Sequence, residues 1–303
     1  MMQPTNQSLN RRTFLKAAGA ATTVLGLRGI QDQPLWAGEQ PTGCPHAEAL
    51  GWHLGCQAYT FNRFTFYEAI DKVASLGLRY IEAYPGQKLS AEQPDVKVGE
   101  GMSAAVRNQV RKKLEDSGVQ LVCFGVVGLS KDEAASRRTF EFAKDMKIQT
   151  IVSEPAPDAM TQVADLCDEY GINVAIHNHP KPSHYWNPDT VLAACKNLSK
   201  RVGACADTGH WMRSKIDPME AIKKLEGRII SFHFKDLNAH DESAHDVPWT
   251  TGKGDVKGWL KEIHRQGFKG VFSVEYEYHW ENSVPEIAQC VTAFDKIAAG
   301  LGQ

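Results

Sequence analysis

From about residue 45 onward, apolar runs of strand length alternate with segments whose apolar residues recur at helical spacing. The first pair is LGCQAYTF, which starts at Leu54, followed by FYEAIDKVASLG. The pattern occurs eight times and ends with GVFSVEYEY, which starts at Gly270, and VPEIAQCVTAFDKIAAG. Strands that alternate with helices predict a parallel sheet. Eight such units predict a (β/α)8 TIM barrel, a closed parallel barrel surrounded by helices. A doubly wound open sheet is the alternative, but no GxGxxG follows the first strand, which disfavours its dinucleotide-binding form.

The connections between the predicted elements also fit a barrel. Glycine ends five of the predicted helices, as expected for C-terminal caps: Gly77, Gly118, Gly171, Gly227 and Gly267. Residues 236–255, rich in His, Asp, Gly and Pro, are predicted to form a long loop after the seventh strand. Loops of this kind in a barrel lie at the face that carries the active site.

The N-terminal segment NRRTFLKAAGAATTVLGL has a different character from the rest of the chain. Arg11 and Arg12 precede an apolar run that is too short for a transmembrane span. This pattern predicts a signal peptide over residues 1–37, which leaves residues 38–303 as the barrel domain. The RRxFLK pattern resembles a twin-arginine signal. That resemblance implies the twin-arginine export machinery as a partner, a periplasmic or otherwise exported location, and no stable membrane span once the signal is removed.

Composition narrows the class of partner. The 303-residue chain is 42% hydrophobic with a formal net charge of −2, which is ordinary for a globular protein. The body of the chain has no block of Lys and Arg, so we expect no nucleic-acid partner. The seven cysteines form no CxxC pair. We therefore expect small buried core residues rather than a disulfide framework or a thiolate zinc site.

Acidic or imidazole side chains stand at the ends of five successive predicted strands, where a barrel of this type places its chemistry. In chain order they are Glu154, His177, Asp207, His233 and Glu275. Each alone has an ordinary interpretation, and Asp207 could simply cap the next helix. Burying several carboxylates together is costly without a cation. The five residues therefore predict one divalent metal ion, and this donor set suits Mn²⁺, Mg²⁺, Co²⁺ or Zn²⁺.

The seventh strand, in the segment IISFHFKD, is unusually polar on one side. Strand alternation directs Phe232 and Phe234 outward to the helices and Ser231, His233 and Lys235 into the barrel. Polarity on the inner side rises toward the end of the strand. This pattern predicts that the strand contributes its last inward residues to a site.

Other residues near the strand ends are candidates for contacts with a substrate. They are Gln57, Glu82, His179, His210 and Trp211, of which Glu82 is expected to bind substrate hydroxyls and Trp211 a sugar face. Lys235 is a candidate for contact with a substrate oxygen. A salt bridge of Lys235 with Asp236 or Glu82 is the alternative.

The strand ends CADTGH, FHFKD and SVEY resemble those of the xylose isomerase-like TIM barrels, in the expected order on consecutive strands. That superfamily includes sugar isomerases and epimerases, inosose dehydratases and endonuclease IV. In the epimerase branch, the resemblance implies one metal held by Glu, Asp, His and Glu from strands five to eight. Asp207, His233 and Glu275 match the last three positions. The first position departs from the epimerase pattern, because His177 stands where the epimerases have Glu. Glu154, one strand earlier, is a candidate for the missing carboxylate.

The resemblance implies a metal-dependent isomerase or epimerase acting on a small-molecule sugar, keto-sugar or glycoside. Such enzymes remove a proton next to a carbonyl and return it, while the metal stabilises the enediolate. Glu275 is the first candidate for the acid/base group. The second is His177 or Glu154, and the residues alone leave that choice open.

Three alternatives belong to other classes of protein. A lyase or dehydratase on a keto-sugar or keto-glycoside starts with the same proton abstraction. An endonuclease IV-like hydrolase needs additional histidines, which the regions around Glu82 and Phe124 lack. A non-catalytic sugar-binding protein would be expected to have lost its acid/base residues, yet Glu154 and Glu275 remain.

Overall fold

The computed structural model describes residues 43–303, and the predicted signal peptide lies outside them. The strands are β1 (Trp52–Gln57), β2 (Tyr80–Ala83), β3 (Gln120–Val127), β4 (Thr150–Ser153), β5 (Asn173–His177), β6 (Val202–Asp207), β7 (Ile229–Phe234) and β8 (Gly270–Val274). They pair in parallel in chain order, and β8 pairs with β1, so the sheet closes. The predicted (β/α)8 barrel is therefore confirmed, and the open sheet is excluded.

Helices follow the strands and surround the barrel. In the described range they are α1 (Pro45–Ala49), α2 (Phe66–Ser75), α3 (Ala104–Asp116), α4 (Glu133–Asp145), α5 (Met160–Tyr170), α6 (Pro188–Cys195), α7 (Thr208–Arg213), α8 (Pro218–Lys224), α9 (Val256–Arg265) and α10 (Val284–Leu301). The five glycines predicted to end helices all have positive φ, between 65° and 74°. Gly171, for example, is the left-handed C-cap of α5. Among residues 43–303, no helix is long and apolar enough to cross a lipid bilayer.

The two sides of β7 separate an outer apolar layer from an inner polar one. Phe232 and Phe234 lie in the core between barrel and helices, where the Phe232 ring stacks on Phe272 at 4.8 Å. On the inner side, His233 and Lys235 are fully buried. A small apolar cluster fills the barrel beneath them: Val122, Cys123, Val152, Ala175, Cys205 and Val271. The predicted orientation of β7 is confirmed, and the polar residues collect toward the carboxyl ends of the strands.

The connection between β7 and α9 is the long loop that the sequence predicts. The buried carboxylate of Asp236 accepts hydrogen bonds from the backbone nitrogens of Thr250 (2.9 Å), Gly252 (3.0 Å) and Gly254 (2.9 Å). A side chain at Gly252 would place its Cβ 2.3 Å from the Asp236 carboxylate. Asp236 thus holds the loop from within, and a larger residue at Gly252 would disrupt that contact.

Candidate active site

Four buried side chains converge at the carboxyl ends of β5, β6 and β8. His177, Asp207, His210 and Glu275 each present one ligand atom, and these atoms all lie within 4.8 Å of one another. The Oδ2 atom of Asp207 is 3.5 Å from Nε2 of His177 and 3.6 Å from Nε2 of His210. We call these residues the four-residue group.

The turn from β6 into α7 brings Asp207 and His210 together. Asp207 is the N-cap of α7, and its Oδ1 atom accepts a 2.6 Å hydrogen bond from the backbone nitrogen of His210. Asn178 fixes the strand end by accepting from the Asp207 nitrogen at 2.8 Å and donating to its carbonyl at 3.0 Å. Asp207 therefore caps a helix with one oxygen and presents the other to the four-residue group.

The four-residue group has the properties of a metal site. Neither ring nitrogen of His177 has a hydrogen-bond partner among the residues described, although both are buried. Burial lowers the pKa of His177 and of His210, so both rings are neutral and keep a lone pair for a ligand bond. Two neutral imidazoles and two carboxylates suit a divalent cation. The group can therefore hold a metal ion, and its donors do not select one metal.

Charges around the two carboxylates keep them ionised. Burial opposes ionisation of both carboxylates. Interactions with His210, Lys235 and His177 outweigh it at Asp207, and interactions with Lys235 and His233 outweigh it at Glu275, so the pKa of each is held well below its usual range. The Lys235 ammonium lies 2.6 Å from Glu275, 2.9 Å from Glu277 and 3.0 Å from Asp207. Burial opposes the charge on Lys235, yet these carboxylates raise its pKa well above the usual value.

The position of Lys235 revises the predicted alternative. A buried salt bridge does form, but the expected partners, Asp236 and Glu82, are wrong. The partners are carboxylates on β6 and just beyond β8, the two strands that flank β7. Fully buried in this way, Lys235 acts on the site through the carboxylates that it contacts.

His233 occupies a position between two carboxylates. Its Nε2 atom is 2.8 Å from Glu82 Oε1, and its Nδ1 atom is 3.2 Å from Glu275 Oε2. Burial opposes protonation, but Cys205, Glu82 and Glu275 together outweigh it and raise the pKa of His233 well above its usual value. His233 is not one of the four residues whose ligand atoms converge. That His233 binds the metal stays a prediction.

Two residues predicted to contact substrate are corrected by their positions. Glu82 is fully buried, and its oxygens accept hydrogen bonds from Gln57 (3.1 Å) and Ser273 (2.7 Å) as well as contacting His233. Glu82 therefore positions its neighbours rather than binding substrate hydroxyls. Trp211 is only 1% exposed and packs in the hydrophobic core, so its ring is not available to a sugar face.

Glu154 and His179 form a pair beside the four-residue group. His179 Nδ1 lies 2.8 Å from Glu154 Oε1, and Ser183 donates a 2.8 Å hydrogen bond to the same oxygen. Burial opposes ionisation of Glu154, but these hydrogen bonds lower its pKa to about 2. The pKa of His179 is raised, since Glu154 outweighs the effect of burial. Glu154, His177 and His179 also present ligand atoms within 4.8 Å of one another.

A cavity of about 330 Å³ opens above these residues. Its wall is formed by Gln57, Tyr59, Tyr84, Pro85, Gly125, Val126, His179, His210, Glu275 and Glu277. The sequence predicted four of these as site residues, but not Glu277, Tyr59 or Tyr84. The signal for Glu277 was present, because in SVEYEY it follows Glu275 by two positions and shares its side of an extended chain.

The architecture and much of the chain match known proteins. A family model described as "Xylose isomerase-like TIM barrel" matches residues 70–295. Among solved structures, a protein of Parabacteroides distasonis is 31% identical, with a TM-score of 0.67 over 81% of this chain and 99% of its own. A comparison with curated proteins returns no match.

More distant structures share the fold. A D-tagatose 3-epimerase-like protein is 15% identical, with a TM-score of 0.65 over 82% of this chain and 98% of its own. A xylose isomerase-like TIM barrel protein from Mycobacterium smegmatis, in complex with magnesium, is 14% identical, with a TM-score of 0.65 over 82% of this chain and 97% of its own. At these identities the likeness concerns the barrel alone.

Proposed function

Because the chain belongs to the xylose isomerase-like TIM barrel family, we propose that it is a divalent-metal-dependent isomerase or epimerase of a sugar or keto-sugar. The observation that carries the proposal is the buried four-residue group, in which His177 has two unpartnered nitrogens among the residues described. His210 and Glu275 belong to this group and also form part of the cavity wall, so a bound substrate would lie against it.

The ligands in this proposal are His177, Asp207, His210 and Glu275. When bound, a divalent ion would polarise a carbonyl and the neighbouring hydroxyl, which would favour loss of the proton from the carbon that bears the hydroxyl. Glu275 is ionised and lies on the cavity wall, so it can accept that proton. Lys235, 2.6 Å from Glu275, keeps the carboxylate ionised and limits its basicity.

We assign the second acid/base role to His179. Its ring lies on the cavity wall, and Glu154 fixes its orientation through the Nδ1 atom, which leaves Nε2 for proton transfer. Glu154 is not part of the cavity wall, and its carboxylate is engaged by His179 and Ser183, so it serves as the orienting group. His177 is buried and is better suited to hold metal. This proposal differs from the sequence analysis, which offered His177 and Glu154 for the second acid/base role and His179 for contact with substrate.

The cavity favours an uncharged substrate. None of the described residues on its wall is Lys or Arg, the side chains that commonly bind phosphate. We therefore propose an unphosphorylated sugar or glycoside. We also propose that the protein is exported, on the strength of the RRTFLK motif.

Metal analysis and solvent deuterium exchange test this proposal. Purified protein, loaded with Mn²⁺, Mg²⁺, Co²⁺ or Zn²⁺, should retain about one ion per chain and should incorporate deuterium into a ketose or 3-keto-glycoside, read by NMR. Exchange without loss of water indicates an isomerase or epimerase, whereas exchange with elimination indicates a lyase. Absence of bound metal after loading would refute the proposal.

Three variants separate the residue roles. His177→Ala should lose both metal and exchange. Glu154→Gln should retain metal and reduce exchange by about 10²- to 10⁴-fold, the usual contribution of acid/base catalysis. His53→Ala is the matched control, because His53 pairs with Glu48 at the opposite end of the barrel and should change neither quantity. Loss of metal in Glu154→Gln would instead make Glu154 a ligand.

A further inference from the structure

Three aromatic side chains form a row along one side of the barrel mouth. They come from neighbouring connections: Tyr84 follows β2, Tyr59 follows β1, and Trp280 follows β8. The Tyr59 ring lies edge-to-face against Tyr84 at 5.2 Å and against Trp280 at 5.9 Å. We call these residues the aromatic row. Tyr59 is 40% exposed, which makes it the most exposed large apolar side chain in the described part of the molecule.

The aromatic row connects two cavities. Tyr84 and Tyr59 form part of the wall of the catalytic cavity, whereas Trp280 faces a second, more apolar cavity of about 730 Å³ with Tyr278 and Arg63. At about 330 Å³, the catalytic cavity is near the lower end of the size range of ligand pockets. It therefore suits one sugar ring, and the row extends beyond the space that such a ring fills.

The row is held in place by its surroundings. The backbone nitrogen of Tyr59 donates a 2.9 Å hydrogen bond to the side chain of Gln57, which begins the turn. Beside Trp280, His279 is tied to Glu286 of α10 at 2.8 Å, and Tyr278 stacks on His245 of the long loop at 4.2 Å. Preformed aromatic surfaces bind without a large cost of ordering.

Polar groups border the second cavity. Arg63 and Glu281 face each other at 3.9 Å, and both are largely exposed. Flat aromatic rings flanked by exposed hydrogen-bonding groups match a pyranose, which has an apolar face of C–H groups and a rim of hydroxyls.

We propose that the aromatic row is a subsite for a second sugar ring, so that the substrate is a glycoside of at least two rings. This rests on the proposed function: one ring reacts in the catalytic cavity, while the second lies along Tyr59 and Trp280. The row then selects the substrate by length, and single sugars are poorer ligands.

Saturation-transfer NMR tests the subsite without turnover. The probes are cellobiose, maltose and trehalose, with glucose for comparison. At least one disaccharide should receive saturation at both rings and bind more tightly than glucose. Trp280→Ala should weaken the binding of that disaccharide by about 3- to 10-fold, the loss of affinity expected for one aromatic contact. Trp280→Phe, which keeps a flat ring at this position, should retain most of the affinity of the parent protein.

Tyr170→Ala is the control, because Tyr170 lies at the end of α5, away from the mouth, and packs on Phe140. It should leave disaccharide binding unchanged. Equal affinity for glucose and every disaccharide, or no effect of Trp280→Ala, would overturn the subsite.

The subsite and the proposed function can fail separately. If both rings of a disaccharide bind and this depends on Trp280, but no keto-sugar exchanges deuterium, the subsite is supported and the proposed enzymatic function is refuted. Exchange into a keto-monosaccharide, with no preference for the matching keto-disaccharide, supports the enzyme and overturns the subsite.

Discussion

Replacing Lys235 with methionine tests the charge arrangement at the centre of the site. The ammonium is fully buried and lies within 3.0 Å of carboxylate oxygens from Asp207, Glu275 and Glu277. Methionine keeps most of the length of the side chain but removes the charge. Three carboxylates would then lose the one charge that contacts all of them, because Arg213 contacts only Glu277 and His233 contacts only Glu275 among the three.

The expected loss of stability follows from burial. Removing one partner from a buried ion pair costs about 3–5 kcal/mol, because the remaining charge is left desolvated. For a domain of about 260 residues, 1 kcal/mol shifts the unfolding temperature by about 2 °C. Metal-free Lys235→Met should therefore unfold about 6–10 °C below the parent protein. A divalent ion supplies positive charge to the same carboxylates, so metal should raise the unfolding temperature of the variant more than that of the parent.

Scanning calorimetry at neutral pH, with and without metal, measures both effects. Lys131→Met is the matched control, because Lys131 lies 3.0 Å from Asp158 but both side chains are largely exposed. An exposed pair at the same distance contributes less than about 1 kcal/mol. If metal-free Lys235→Met unfolds at the same temperature as Lys131→Met, the reasoning on burial is wrong.

Three further predictions concern pH and packing. Because burial lowers the pKa of His177 and His210, bound metal should persist below about pH 6.5, the ordinary pKa of a free imidazole, in dialysis followed by metal analysis. In metal-free protein, Glu154→Gln should lower the pKa of His179, read by NMR titration, because the carboxylate that favours the imidazolium is gone. In the parent protein, the stability that the ionised Glu154 contributes should be lost as the pH falls toward about 2. Phe232→Ala should cost about 3–5 kcal/mol in urea unfolding, since the ring is fully buried against Phe272, and an unchanged midpoint would contradict that packing.

The sequence predicts the barrel well because strand alternation is a local property. Each residue of β7 faces inward or outward according to its parity, so the separation of Phe232 from His233 needs no knowledge of other strands. The polar residues at the ends of five successive strands could be predicted in the same way. Parity also places Glu277 on the side of Glu275, although β8 ends at Val274.

The pairing of side chains across the barrel mouth could not be predicted in this way. His233 and His210 both approach the carboxylates, but His233 is drawn to Glu82 on β2, across the barrel. His210 reaches the four-residue group because Asp207 caps the helix that carries it. The His233–Glu82 contact depends on the distance between two strands that are far apart in the chain, which no local pattern encodes.

The histidine at position 177 explains how the remaining groups are arranged. The resemblance to epimerases leads one to expect glutamate there, a residue that could both bind metal and transfer a proton. A buried neutral imidazole can do the first, but His177 lies below the cavity wall and leaves the second to another group. His179 follows two residues later, reaches the cavity, and is oriented by Glu154 from the neighbouring strand. In the function that we propose, the two roles of one glutamate are divided between His177 and the His179–Glu154 pair. Metal retention and proton exchange should therefore respond separately to substitution on β5 and on β4.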